Sequence, residues 1–303
     1  MSRLTFKMAT LIACSLLLFC QSLIAQDATD RSKARKVFEV NSSNIYVVKA
    51  LVDVEISSNG TQAGNREVTV WSNGPVVADG IVLIAYSGIK PALPANIRRR
   101  GVEMKTTPVK VQLVNQSGEE FDGRLVLHDE DLDIAFIALD RTADNASDWT
   151  GEAIDISKDP EFQHLDAAVI MSRDGEAKRF QATVRLGDVN TIIPRPRRMY
   201  SCGGLTTSSS VFNLDGDFVG LSVRKTPASG TAFSAVLPSK YIRKLLPQAI
   251  EKAAEEKSTD EVDEEEADKD EVKETDAEEM DEEEKVDSTK DPSDKDPKPA
   301  NDN

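Results

Sequence analysis

The chain of 303 residues carries 53 acidic and 37 basic side chains, which give a formal net charge of −16 at pH 7. This charge is concentrated at one end: residues 251–303 hold 25 acidic and 8 basic residues, a net charge of −17, so the first 250 residues carry about +1. A nearly neutral body lacks the basic footprint of nucleic-acid-binding proteins, and we expect no nucleic-acid partner.

Residues 1–25 have the pattern of a secretory signal peptide. Arg3 and Lys7 give a positive start, Leu11–Ile24 is apolar and uncharged, and Ala25 is a small residue at a plausible cleavage point. The alternative is an uncleaved anchor, but about 15 apolar residues make a short membrane span. We therefore expect an exported protein, periplasmic or secreted, with no stable membrane insertion after cleavage.

The cysteines exclude a disulfide framework. Cys14 and Cys20 lie inside the predicted signal, which leaves Cys202 as the one thiol of the mature chain. No Cys-x-x-Cys or Cys/His spacing of a metal site occurs, and the two histidines, His128 and His164, are interpreted as surface residues. We expect neither a metal nor another cofactor.

The folded body, residues 36–250, has the pattern of an all-β protein. Val109, Val111 and Leu113 alternate with polar residues as in a half-buried strand, and Ile134–Leu139 is an apolar run typical of a strand buried on both faces. Short strands separated by Gly-containing turns indicate a sandwich or barrel. Further strands are predicted over Glu67–Trp71, Pro75–Val77, Ile81–Ala85, Arg124–His128, Ala167–Met171, Ala182–Gly187, Ser210–Asn213 and Phe218–Arg224.

The segments that flank this body have other patterns. An apolar stripe that includes Tyr241, Ile242 and Leu245 predicts a terminal helix over residues 239–256, which Pro247 should kink or interrupt. Residues 26–35 are expected to be a flexible N-terminus. Residues 257–303 are expected to be a disordered acidic tail, because they cannot bury enough apolar surface to offset the ordering entropy. Such a tail is suited to contact basic partners.

Six short blocks follow one another in the body. They are Val76–Leu83, Val82–Gly88, Val109–Leu113 with Gly118–Arg124, His128–Ala135, Val211–Leu221 and Phe233–Pro238. In this order they resemble the trypsin-like and Deg-type (HtrA-like) serine proteases across about residues 40–245. The resemblance implies a chymotrypsin-type double β-barrel, with barrels over about 36–145 and 150–240 and a site in the cleft between them.

The resemblance also implies a nucleophile, a base and an acid that orients the base. Asp133 matches the acid position, whereas Ser87 stands where the family has its catalytic histidine. A hydroxyl cannot accept and return a proton near neutral pH as imidazole does. Since loss of a triad base costs about 10⁶-fold in kcat, the resemblance is to a degenerate member of the family, a pseudoprotease.

The nucleophile position allows two alignments. Without a gap, Thr207 takes the position, and Ser208 and Ser209 replace the two glycines whose backbone would present an oxyanion hole. With five inserted residues, Cys202 takes it and is followed by Gly203-Gly204, an oxyanion-type turn similar to that of viral cysteine proteases.

In the second alignment the arginines among residues 195–198 would lower the pKa of the Cys202 thiol. Otherwise, Cys202 is a half-buried small residue in a tight turn.

Two functions follow from these residues. The first is an exported pseudoprotease that acts by binding a protein or peptide, through the former cleft or the acidic tail. The second is an active endopeptidase that uses Cys202, or Thr207 or Ser208, with Asp133 and an unidentified base. The missing histidine favours the first.

Overall fold

The computed structural model describes residues 28–58, 61–90, 102–226 and 231–266, and nearly half of them belong to antiparallel strands. Both barrels lie in one compact unit that ends at Thr259, and the second unit, Asp260–Asn303, is almost wholly outside the described residues. The predicted signal peptide and most of the predicted acidic tail also lie outside them.

The first barrel has six strands that close in the order β1-β2-β3-β6-β5-β4. Their bounds are β1 Ile45–Ser58, β2 Thr61–Ala78, β3 Ile81–Ile84, β4 Val102–Val114, β5 Glu120–Asp129 and β6 Ile134–Leu139.

The second barrel closes in the order β10-β11-β12-β9-β8-β7. Its strands are β7 Ala167–Arg173, β8 Ala182–Ile193, β9 Met199–Cys202, β10 Ser210–Phe212, β11 Phe218–Lys225 and β12 Phe233–Pro238. The prediction of an all-β double barrel with a C-terminal helix is confirmed.

Three apolar clusters hold the fold together. One fills the first barrel and includes Val48 and Phe121, a second fills the other barrel around Tyr200, and a third lies between the barrels. The alternation of side chains along each strand explains this arrangement, because one face of a strand points into its barrel and the other points outward. On β6, for example, Ile137 points into its barrel and Phe136 into the cluster between the barrels.

Glycines permit close strand contacts in both barrels. A Cβ atom at Gly74 on β2 would lie 1.9 Å from the carbonyl oxygen of Leu83, and one at Gly220 on β11 would lie 1.9 Å from that of Leu237. No side chain fits at either position, so each glycine lets two backbones approach where the barrel bends.

Two helices pack against the third cluster. The first, α1, covers residues 28–41 and buries Ala34 and Val37, whereas we expected a flexible segment over 26–35. The second, α2, is Ser239–Glu266, so it continues through Pro247 and ten residues beyond the predicted end. Burial of apolar side chains such as Ile242 offsets the backbone hydrogen bond that proline removes. Among the described residues no helix is long and apolar enough to cross a membrane.

Candidate active site

The residues at the expected base and acid positions meet at the edge of the first barrel. β3 ends at Ile84 and is followed by Ala85 and by a 3₁₀ turn, Tyr86–Gly88, that contains Ser87. Asp133 directly precedes β6 and has a positive φ of 58°. The Tyr86 backbone N–H donates to the carbonyl oxygen of Asp133 at 3.2 Å, which fixes the two segments side by side.

Both carboxylate oxygens of Asp133 accept hydrogen bonds from non-histidine donors. The Ser87 backbone N–H donates to Oδ1 at 2.7 Å, and the Ser87 hydroxyl donates to Oδ2 at 2.9 Å. The backbone N–H of Arg224, on β11 of the second barrel, donates to Oδ2 at 2.6 Å. In a catalytic triad this carboxylate orients an imidazole N–H. Here the donors to the carboxylate are Ser87, through its backbone and its hydroxyl, and the main-chain amide of Arg224.

The electrostatic surroundings of Asp133 are mixed. Its exposed fraction is only 6%, and burial raises the pKa of the carboxyl, while the hydrogen bonds from Ser87 and Arg224 and the charge of Lys225 partly oppose the rise. Burial lowers the pKa of Lys225, and the Asp133 charge opposes that shift. The Lys225 ammonium donates to the carbonyl oxygen of Asp131 at 2.7 Å.

The turn before β10, which carries Thr207 and Ser208, lies beside the Ser87 segment. The Ser208 side chain is buried, and its Oγ accepts a hydrogen bond from the Ala85 backbone N–H at 2.6 Å. The Ser208 backbone N–H donates to the Ser222 carbonyl at 2.6 Å, and its φ is 69°. This turn therefore reaches the first barrel through a side-chain oxygen.

The other hydroxyl residues of this turn, Thr207 and Ser209, also lack a neighbouring group among the described residues that could act as a base. Thr207 is half-buried, and its hydroxyl makes no hydrogen bond within the described part of the chain. The Ser209 hydroxyl is buried and bonds to that of Thr206 at 2.7 Å. The geometry supplies hydroxyls but no partner that would take their protons.

Cys202 lies elsewhere, in the core of the second barrel. It ends β9, pairs with Val189 of β8 and belongs to the cluster around Tyr200, with an exposed fraction of 5%. Burial, reinforced by the charge of Asp188, raises the pKa of its thiol to about 11. This is opposite to the lowering expected from the arginines at 195–198, and a thiol with such a pKa is almost entirely protonated at neutral pH.

The Gly203-Gly204 turn after Cys202 does have the backbone of a tight turn. Gly204 has a φ of 83°, and its carbonyl accepts a hydrogen bond from Arg185 at 3.1 Å. Arg198 does not face the thiol. It pairs with Glu161 at 3.2 Å and lies over the Tyr200 ring.

One histidine lies closer to the site than its sequence position suggested. The exposed His128 ring, on β5, stacks on Tyr86 with ring centroids 4.4 Å apart, and Lys90 lies over the same tyrosine. The donors to Asp133 are Ser87 and Arg224, so His128 does not complete a triad. His164 is exposed, as predicted for a surface residue.

Within the described ranges no group of three or more His, Cys, Asp or Glu side chains is arranged to hold a metal ion. Comparison of the chain with models of known protein families finds no match, and comparison with curated proteins also finds none. The candidate site thus consists of a buried carboxylate that accepts three hydrogen bonds and of hydroxyls without a base, while the Cys202 thiol is buried in the core of the second barrel.

Proposed function

We propose that this chain is an exported member of the trypsin-like, Deg-type (HtrA-like) group whose catalytic site is degenerate, and that it acts by binding a protein or peptide. The double β-barrel supports the relationship, because the six sequence blocks that carry the resemblance occur in the order that this fold requires. The signal-like residues 1–25 support export to the periplasm or the medium.

The observation that carries the proposal is the occupation of Asp133. In a triad the acid accepts a hydrogen bond from the imidazole N–H that it orients, whereas here the side chain that donates to Asp133 is the hydroxyl of Ser87, at 2.9 Å from Oδ2. With a serine at the base position, no group accepts the nucleophile's proton. The site then provides recognition surface without transition-state chemistry.

An open strand edge supports the binding part of the proposal. β4 pairs with β5 only over Val111–Val114, so among the described residues 102–110 of β4 have one edge without a strand partner. Val109 is the extra residue of a β-bulge there and is 57% exposed. An open edge is where a sheet can receive an extended peptide segment as an added strand.

The second candidate is an active endopeptidase, and one contact favours Ser208 as its nucleophile. The Ser208 hydroxyl accepts a hydrogen bond from the Ala85 amide at 2.6 Å, and Ala85 is two residues from Ser87, so this hydroxyl lies near the expected base position. The raised pKa of its thiol makes Cys202 the weaker alternative.

The test is hydrolysis of fluorescent casein by the purified protein beside four variants: Asp133→Ala, Cys202→Ala, Thr207→Ala and Ser208→Ala. The proposal predicts that none of the variants is slower than the wild type, because no catalysis exists to lose. Turnover that one of these substitutions abolishes would establish the endopeptidase and overturn the pseudoprotease assignment.

A further inference from the structure

Three hydrogen bonds cross from one barrel to the other around the former acid position. The Arg224 amide of β11 donates to Asp133, the Lys225 ammonium donates to the Asp131 carbonyl, and the Ala85 amide donates to the Ser208 hydroxyl. Their lengths are 2.6, 2.7 and 2.6 Å. Each joins the Ala85 or Asp131–Asp133 segment of the first barrel to β11 or the turn before β10.

We propose that these contacts form one cross-barrel latch, in which Asp133 acts as a structural clamp that holds the two barrels closed against each other. The inference does not depend on the proposed function, since the contacts would have the same role in an active or an inactive protein.

Burial gives the latch its strength. Asp133, Ala85 and Ser208 are 6%, 0% and 1% exposed, so water does not replace a partner that is lost. An unsatisfied buried polar group, and above all a charged one, costs far more than an ordinary hydrogen bond contributes. Opening the barrels at this point would leave the carboxylate without the Arg224 amide and the Ala85 amide without an acceptor.

Backbone hydrogen bonds connect the latch contacts with one another, so that they form or break together. Ser208 also donates through its backbone to the Ser222 carbonyl, and the Ser222 amide donates to the Ser209 carbonyl, so the turn before β10 is fixed to β11. Arg224 is two residues further along β11. Movement of β11 away from Asp133 therefore also moves Ser208 away from Ala85.

The test is amide hydrogen exchange on the full chain, measured residue by residue by NMR. In Asp133→Ala we expect exchange at Ala85 to accelerate by roughly tenfold or more, although the Ala85 amide does not touch Asp133. In Ser208→Ala the reciprocal effect is expected at Arg224. Either variant suffices if the other fails to fold.

Glu130→Ala is the matched control, because Glu130 is exposed and pairs with Lys90, outside the latch, so its exchange pattern around the latch should equal that of the wild type. Amides of Ala50 on β1 and Ile170 on β7 should stay unchanged in all variants. The latch is wrong if Asp133→Ala affects only Ser87 and Arg224, or if all amides of both barrels accelerate equally.

Discussion

At the scale of single residues, the state of the Asp133 carboxyl depends on which groups donate hydrogen bonds to it. Asp133 keeps a buried setting, but its donors are a serine and a main-chain amide. Such donors stabilise the ionised carboxylate, whereas burial destabilises it. Burial has the larger effect, so the pKa of Asp133 is raised. The ionised form of Asp133 therefore lowers the free energy of unfolding relative to the neutral form.

This cost predicts a pH dependence of stability. The folded-state pKa of Asp133 lies above its unfolded-state value, so its contribution to stability is fully present below the unfolded-state pKa and is lost as pH rises through the folded-state pKa. Asp133→Asn cannot ionise. The unfolding free energy of the wild type relative to this variant should therefore fall between pH 4 and pH 7, as measured by urea denaturation. A relative stability that rises over this range would contradict the raised pKa.

The resemblance assigned Ser87 and Asp133 to two positions of one triad, and the two residues are hydrogen-bonded, but no sequence pattern marked Arg224. Its contribution is a backbone N–H, which every non-proline residue carries, so no side-chain signal marks it. For Cys202 the sequence left two interpretations open, a nucleophile and a packed small residue. A Cys-Gly-Gly motif is visible in sequence, yet the strand register that places the thiol in a barrel core depends on distant partners such as Val189.

At the scale of elements, periodicity predicted most strands because burial alternates along them. It missed β1, although Val48, Ala50, Val52 and Val54 are buried there at every second position. This alternation is itself the sequence pattern of a half-buried strand. The helix over 28–41 is different, because its buried apolar face is short and includes only Ala34 and Val37. Packing of this face against the cluster between the barrels stabilises the helix.

Strand contact also predicts the cost of changing Gly74. A Cβ atom there would overlap the Leu83 carbonyl at 1.9 Å, so Gly74→Ala should lower the unfolding free energy by more than about 3 kcal/mol in urea denaturation. Gly175→Ala is the control, because its φ of −76° suits any residue and no heavy atom lies within 4 Å. The control should stay within about 0.5 kcal/mol of the wild type. Equal stability of the two variants would contradict the close contact.

At the scale of the whole molecule, two kinds of contact join the barrels. One is the apolar cluster between them. The other consists of hydrogen bonds, several of which are donated by Arg173. Its buried guanidinium donates to the carbonyls of Ile45, Phe180 and Ser42, and its backbone N–H donates to Asn73. Neither kind was predicted, because contacts between residues about 100 positions apart leave no local pattern.

The central claim is that the Asp133 carboxyl is shared by Ser87 of one barrel and Arg224 of the other. It is tested most directly by a pH titration of the Ser87 and Arg224 amide resonances in the ¹⁵N-labelled full chain. The account predicts that both shift with one common midpoint above the ordinary aspartate range, and that Asp133→Asn abolishes both shifts. An Arg224 amide that does not titrate with Ser87 would contradict it.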